Sequence, residues 1–161
     1  MMRIAGWMVA TALIGMTSAS GATAQTAQGA AVQAAAEKFA GGLLWRASTV
    51  LTADFNCTGK VQYALLGTST KEIAVAIFAN GLDQSPALLR FEADGMSIIE
   101  SKIRLDDYSM TAAEIAGLTG AAPVGYRPAT ACHGVRLSDD RSDAAHIYWD
   151  YDNGRFDSWS Q

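Results

Sequence analysis

From about residue 60 to the C-terminal end, apolar and polar side chains alternate in short runs, the period of half-buried strands rather than helices. The runs 61–66, 72–79, 87–93 and 96–105 are rich in Ile, Val, Leu and Phe, and Gly67, Asn80-Gly81 and Asp94-Gly95 punctuate them. Asp-Gly between two such runs favours a tight hairpin, because a type I′ turn needs positive φ at both central residues. The pattern predicts four consecutive antiparallel strands between residues 60 and 105. Three further runs close the chain, at 131–137, 145–151 and 155–160, with a turn over 138–143 and Asn153-Gly154 between the last two.

The period turns helical in two places. Val32, Ala36 and Phe39 form one stripe of a helix expected over 33–40, which Gly41-Gly42 would end. Thr111-Ala112-Ala113-Glu114 has the form of a capping box, in which the Thr and Glu side chains satisfy each other's backbone donors. That helix should run to about residue 116, closed by Gly117 or Gly120. Residues 43–51 suit either a longer helix or a strand, and 119–130, with Pro123 and Pro128, reads as a loop. The expected class is α+β: mainly antiparallel sheet of about seven strands, barrel-like or helix-backed, with one or two short helices.

The first segment sets the compartment. Arg3 precedes an uncharged apolar stretch over 4–16, followed by small residues ending in Ala22-Thr23-Ala24. This is the layout of a secretory signal peptide over 1–24, since the peptidase pocket admits only small side chains. The stretch is shorter than the roughly 20 apolar residues a bilayer span needs. An Ala-rich segment over 25–42, partly helical or flexible, would then lead into a single β-rich domain over 43–161. The expected location is periplasmic or secreted, without a membrane span in the mature protein. Two cysteines, Cys57 and Cys132, fit one structural disulfide in an oxidising compartment. Their separation argues against a C-x-x-C redox pair, and two thiols alone do not make a zinc site.

Without residues 1–24 the chain keeps eleven basic against sixteen acidic side chains, a net charge of about −5. Such a surface repels phosphate backbones and carries no basic stripe, so nucleic acid is not an expected partner. It favours encounter with a cationic envelope or extracellular protein or ligand. No cofactor motif is present: no glycine-rich phosphate loop follows a strand, no Ser stands in a G-x-S-x-G elbow, and no H-E-x-x-H occurs.

The densest chemistry lies in the last hairpin. A two-residue turn at Asn153-Gly154 would set Asp152 opposite Arg155, Asp150 opposite Asp157 and Tyr148 opposite Trp159. His146, Tyr148, Asp150, Asp152, Arg155, Asp157 and Trp159 would share an outward face, while Ile147, Trp149, Tyr151 and Phe156 would point into the core. Opposed aspartates repel unless a cation or an arginine lies between them. They could hold Ca²⁺ with help from Asp139, Asp140 and Asp143, although the run around Asp150 does not match a calcium loop. A solvated face neutralised by Arg155 or Arg136 is the simpler reading. Exposed Tyr and Trp beside these charges are typical anchors of a recognition surface. His133 and His146 are candidates for a general base or a metal ligand, in no motif that requires either role.

Asp54-Phe55-Asn56-Cys57 followed by a strand meander is loosely similar to the small periplasmic inhibitors of lysozyme, which are acidic, disulfide-bonded β-barrels. The Ser-Gly-x-x-Tyr loop of those inhibitors is missing and the second cysteine comes far later, so the likeness is one of class and carries over no residue roles. The leading expectation is an exported, non-enzymatic binding or inhibitor-like module that uses His146, Tyr148, Asp150, Arg155, Asp157 and Trp159. The alternatives are a cation-binding structural or stress-related envelope protein and a small hydrolase with a His/Asp site.

Overall fold

The structure, a computed structural model, describes residues 20–93, 98–139 and 143–160. The apolar stretch 4–16, the Asp94-Gly95 turn and Asp140 lie outside the described residues. The chain opens with α1 (Ser20–Phe39), β1 (Leu44–Trp45), a single 3₁₀ turn (Ala47–Thr49), β2 (Leu51–Ala53), β3 (Gln62–Thr68), β4 (Glu72–Phe78) and β5 (Ala87–Glu92). It continues with β6 (Lys102–Asp107), α2 (Ala112–Thr119), β7 (His133–Ser138), β8 (Ala145–Asp150) and β9 (Arg155–Ser160). The strands form two antiparallel sheets. In the first the order is β1-β3-β4-β5, with β2 also pairing β3; the second runs β6-β7-β8-β9. The α+β expectation therefore holds, with nine strands among the described residues and an open two-sheet arrangement rather than a closed barrel.

The layering follows from side-chain alternation. In β4, Ile73, Val75 and Ile77 face the second sheet and meet Ile103, Val135, Leu137 and Ile147 in the central core. The intervening Ala74, Ala76 and Phe78 face α1 and meet Val32, Ala36 and Trp45. Burial on both faces is why this strand reads as a continuous apolar run. The outer face of the second sheet is covered by α2 and the loop after it, which bury Tyr108, Ile115, Tyr126, Cys132 and Tyr148 together. No described helix is long and apolar enough to cross a membrane.

Gly67 does not end its strand. It lies inside β3 opposite Trp45, where a Cβ would fall 2.5 Å from the indole ring; the residue is glycine so that the ring can cross the backbone. The capping box forms as expected, with Gly120 closing α2 in the left-handed conformation. The disulfide joins Cys57 to Cys132 and fastens the segment before β3 to the start of β7, where His133 N donates to Asp54 O at 3.0 Å.

Three expectations fail. The strands predicted on either side of Asp94-Gly95 are not a hairpin, because β5 pairs β4 and β6 pairs β7 in the other sheet. Of the predicted strand 96–105, residues 96 and 97 lie outside the described residues and β6 starts at Lys102; Ile98 to Glu100 is a turn, pinned by the Arg46 guanidinium donating to Ile98 O at 3.0 Å and Ser101 Oγ at 2.9 Å. The last hairpin also has a different register. Asp150 lies opposite Arg155, Tyr148 opposite Asp157 and His146 opposite Trp159. Its turn holds four residues, because the Asp150 carboxylate accepts from Asp152 N at 2.9 Å, Asn153 N at 3.0 Å and Asn153 Nδ2 at 2.6 Å. A side chain bonding its own turn has outcompeted the two-residue alternative.

Candidate functional site

The slip is of two residues, so every side chain keeps its predicted face; only the partners change. The site is built on this face. Directly opposed residues in neighbouring strands point the same way, and the pairs Arg104 with Arg136, Arg136 with His146, and His146 with Trp159 make one row across β6, β7, β8 and β9. All four line a cleft of about 340 Å³, together with Asp106, Tyr108, Met110, Tyr126 and Tyr148 among others.

At the aromatic end, the His146 and Trp159 rings are stacked, with centroids 4.0 Å apart and 5° between planes. His146 Nδ1 lies 2.7 Å from Asp106 Oδ2. An ionised carboxylate only accepts, so Nδ1 carries the proton and Nε2 is the free nitrogen. Among the described residues nothing bonds that nitrogen. The floor is a train of tyrosines: Tyr126 sits edge-on to Tyr108 at 5.8 Å and to Tyr148 at 5.5 Å. The Tyr148 hydroxyl donates to Val124 O at 2.9 Å. Burial, and then the nearby Asp157 and Asp150 carboxylates, push its pKa up to about 12. Burial also raises that of Tyr126, so both rings stay neutral and act as walls and hydrogen-bonding groups.

Of the residues expected to bind, His146, Tyr148 and Trp159 line the cleft, whereas Asp150, Arg155 and Asp157 do not. Asp150 is fully buried. The Asn153 side chain and the turn N–H groups hold its carboxyl below the ordinary aspartate range, and its role is to tie the turn. Arg155 reaches Asp157 at 3.6 Å at the exposed edge. The face is not open to water as predicted: α2 and the loop that follows roof its Tyr148 end. Tyr151 lies in the turn beneath Arg127, 4.8 Å from its guanidinium, and not in the core. Asp157 faces Tyr148 rather than Asp150, so the expected aspartate pair does not form. Among the described residues no group of three or more His, Cys, Asp or Glu is placed to hold a metal ion.

Arg104 and Asp106 escaped sequence reasoning because the predicted strand stopped at residue 105 and was assigned to a hairpin with the wrong partner. Their alternation, Arg-x-Asp continuing Lys102, was the available signal. Larger hollows of about 890 and 910 Å³ lie between α1 and the 3₁₀ turn and beside Leu44. Neither holds a comparable set of titratable groups. No protein-family model matches the chain, and no curated protein or solved structure is significantly similar to it.

Proposed function

We propose that the chain is an exported, non-enzymatic binding module whose ligand site is the cleft on the outer face of the second sheet. One observation carries the reading. A concave site of about 340 Å³, at the small end of the range for ligand pockets, gathers aromatic walls with polar groups that internal partners do not use up. A cleft of that size suits a small molecule. The disulfide, of a kind that persists in oxidising compartments, and the signal-peptide pattern of residues 1–24 support export.

The test uses the oxidised mature protein incubated with a small-molecule extract of cells, desalted, and analysed for retained compounds by mass spectrometry. A compound retained by the wild type and lost with Trp159→Ala, in a variant that still folds, is the expected result. Equal retention by both chains refutes the cleft as the site.

The Asp106–His146 couple favours a second reading, general-base hydrolysis. It stands behind the first because no hydroxyl among the described residues is hydrogen-bonded to the free imidazole nitrogen. Hydrolysis of p-nitrophenyl acetate above the buffer rate that vanishes in His146→Ala would put it first.

A further inference from the structure

We propose that the ligand of this cleft carries an oxyanion, a carboxylate or phosphate group, that bridges Arg104 and Arg136 while a flat body lies towards His146 and Trp159. The inference rests on the cleft being a ligand site.

Six arginines lie among the described residues, and four have a partner. Arg46 donates to Ile98 O and Ser101 Oγ, Arg90 pairs with Glu72, Arg127 with Asp152 and Arg155 with Asp157. The two without an ion pair or hydrogen bond among the described residues, Arg104 and Arg136, are the two that face each other across neighbouring strands. Like charges directly opposed weaken a sheet, and in an acidic chain carboxylates to neutralise them are plentiful. Two carboxylates that line the same cleft have other neighbours: Asp106 accepts from His146, and Asp107 lies 3.3 Å from His133 Nδ1. An incoming oxyanion is the missing partner.

The geometry suits it. Neighbouring strands lie about 4.8 Å apart, so two planar guanidinium forks can converge on the oxygens of one carboxylate or phosphate. Along the same row the next groups are an imidazole and an indole, which favour a flat, apolar body behind the anionic head. The overall negative charge, which favours cationic partners at long range, acts against polyanions and leaves room for a small, singly substituted anion that the local arginine pair recognises.

The experiment is an amide-resolved NMR titration of the oxidised protein with three probes of one shape: benzoate, phenyl phosphate and neutral benzamide. Benzoate or phenyl phosphate should shift the resonances of His146, Tyr148 and Trp159 at concentrations at least about tenfold below benzamide. Arg104→Gln and Arg136→Gln should each weaken the anion several-fold and together abolish binding, while Arg90→Gln, which removes the same charge from the other sheet, should not. Tighter phenyl phosphate identifies a phosphate monoester, and tighter benzoate a carboxylate. Benzamide binding as tightly as the anions, or unchanged anion binding in the double variant, overturns the inference and leaves the cleft as a site for a neutral ligand. Resonances that move with none of the probes also overturn it, and the retained-compound test still judges the cleft by itself.

Discussion

Tyr108 is the residue on which the floor of the cleft hangs, and Tyr108→Phe isolates one atom of it. The ring is 4 % exposed just beyond the end of β6. Its hydroxyl accepts from Trp149 N at 3.0 Å and donates to Phe55 O at 3.4 Å. The first bond matters more. The pairing of β7 with β8 ends at Val135 opposite Ile147, so the Trp149 N–H has no strand partner on that side and relies on the phenol. Phenylalanine keeps the packing and orphans a backbone donor, which costs about 1–3 kcal/mol; the longer bond adds little. A loss of about 2 kcal/mol is expected near pH 8, out of a total that is typically about 5–15 kcal/mol for a domain. In urea the midpoint should fall by about 1 M with unchanged slope.

The same residue supplies an internal check against pH. Burial first, then the neighbouring Tyr151, Tyr126 and Asp106, drive the pKa of Tyr108 far above that of a free phenol. The folded state therefore keeps its proton where the unfolded chain, with a pKa of about 10, has lost it. The stabilisation is complete below pH 10 and drains away as pH rises through the gap, with about 1.4 kcal/mol lost by pH 11. Phenylalanine has no proton to lose, and the other tyrosines titrate in both chains. The difference in stability should thus narrow from about 2 kcal/mol at pH 8 to less than about 1 kcal/mol at pH 11. A gap under about 0.5 kcal/mol at pH 8, or one that does not narrow, refutes the hydrogen-bond assignment.

Four further outcomes are expected. Gly67→Ala should cost about 1–3 kcal/mol, since its Cβ would meet the buried Trp45 ring at 2.5 Å. Gly117→Ala, with nothing within 4 Å in α2, should gain about 0.5–1 kcal/mol; thermal melts separate the two signs. Replacing both Cys57 and Cys132 by Ser removes a crosslink spanning 75 residues and should lower stability by about 4 kcal/mol on the chain-entropy scale, read by urea unfolding. Because hydrogen bonds from Asn153 and the turn depress the Asp150 carboxyl, its stabilising effect is present above the unfolded carboxylate pKa of about 4 and fades as pH falls through the lower folded value. Asp150→Asn should be less stable than wild type at pH 7 and should lose less between pH 7 and pH 3, as measured by the melting midpoint.

What the sequence disclosed, and what it hid, divides by range. Local rules were sufficient for the Thr111–Glu114 capping box, the span of β9 and the limits of β4, because each depends on neighbours in the chain. The disulfide was legible from two cysteines without a third. The sheet assignment of β6 was hidden, because Asp-Gly promises a hairpin locally while the partner of residues 102–107 lies about thirty positions downstream in β7. Gly67 misled for a related reason. A glycine in a strand looks like a stop until the ring that crosses it, Trp45, is known.

The last hairpin shows why an error of register left half of the site intact. A slip of two exchanges partners and preserves faces, so His146, Tyr148 and Trp159 still converge on one surface, whereas a slip of one would have set Trp159 on the opposite face from His146 and Tyr148. The exchange of partners decided the chemistry. With Asp150 turned inward to bind its own loop and Asp157 set against Tyr148, the hairpin has no opposed carboxylates to attract a cation. The charge left without a partner among the described residues comes from the two preceding strands, and it is positive. Where a chain richer in acids than bases nonetheless sets two arginines face to face with no ion pair to a described carboxylate, an anionic ligand is the partner their arrangement suits.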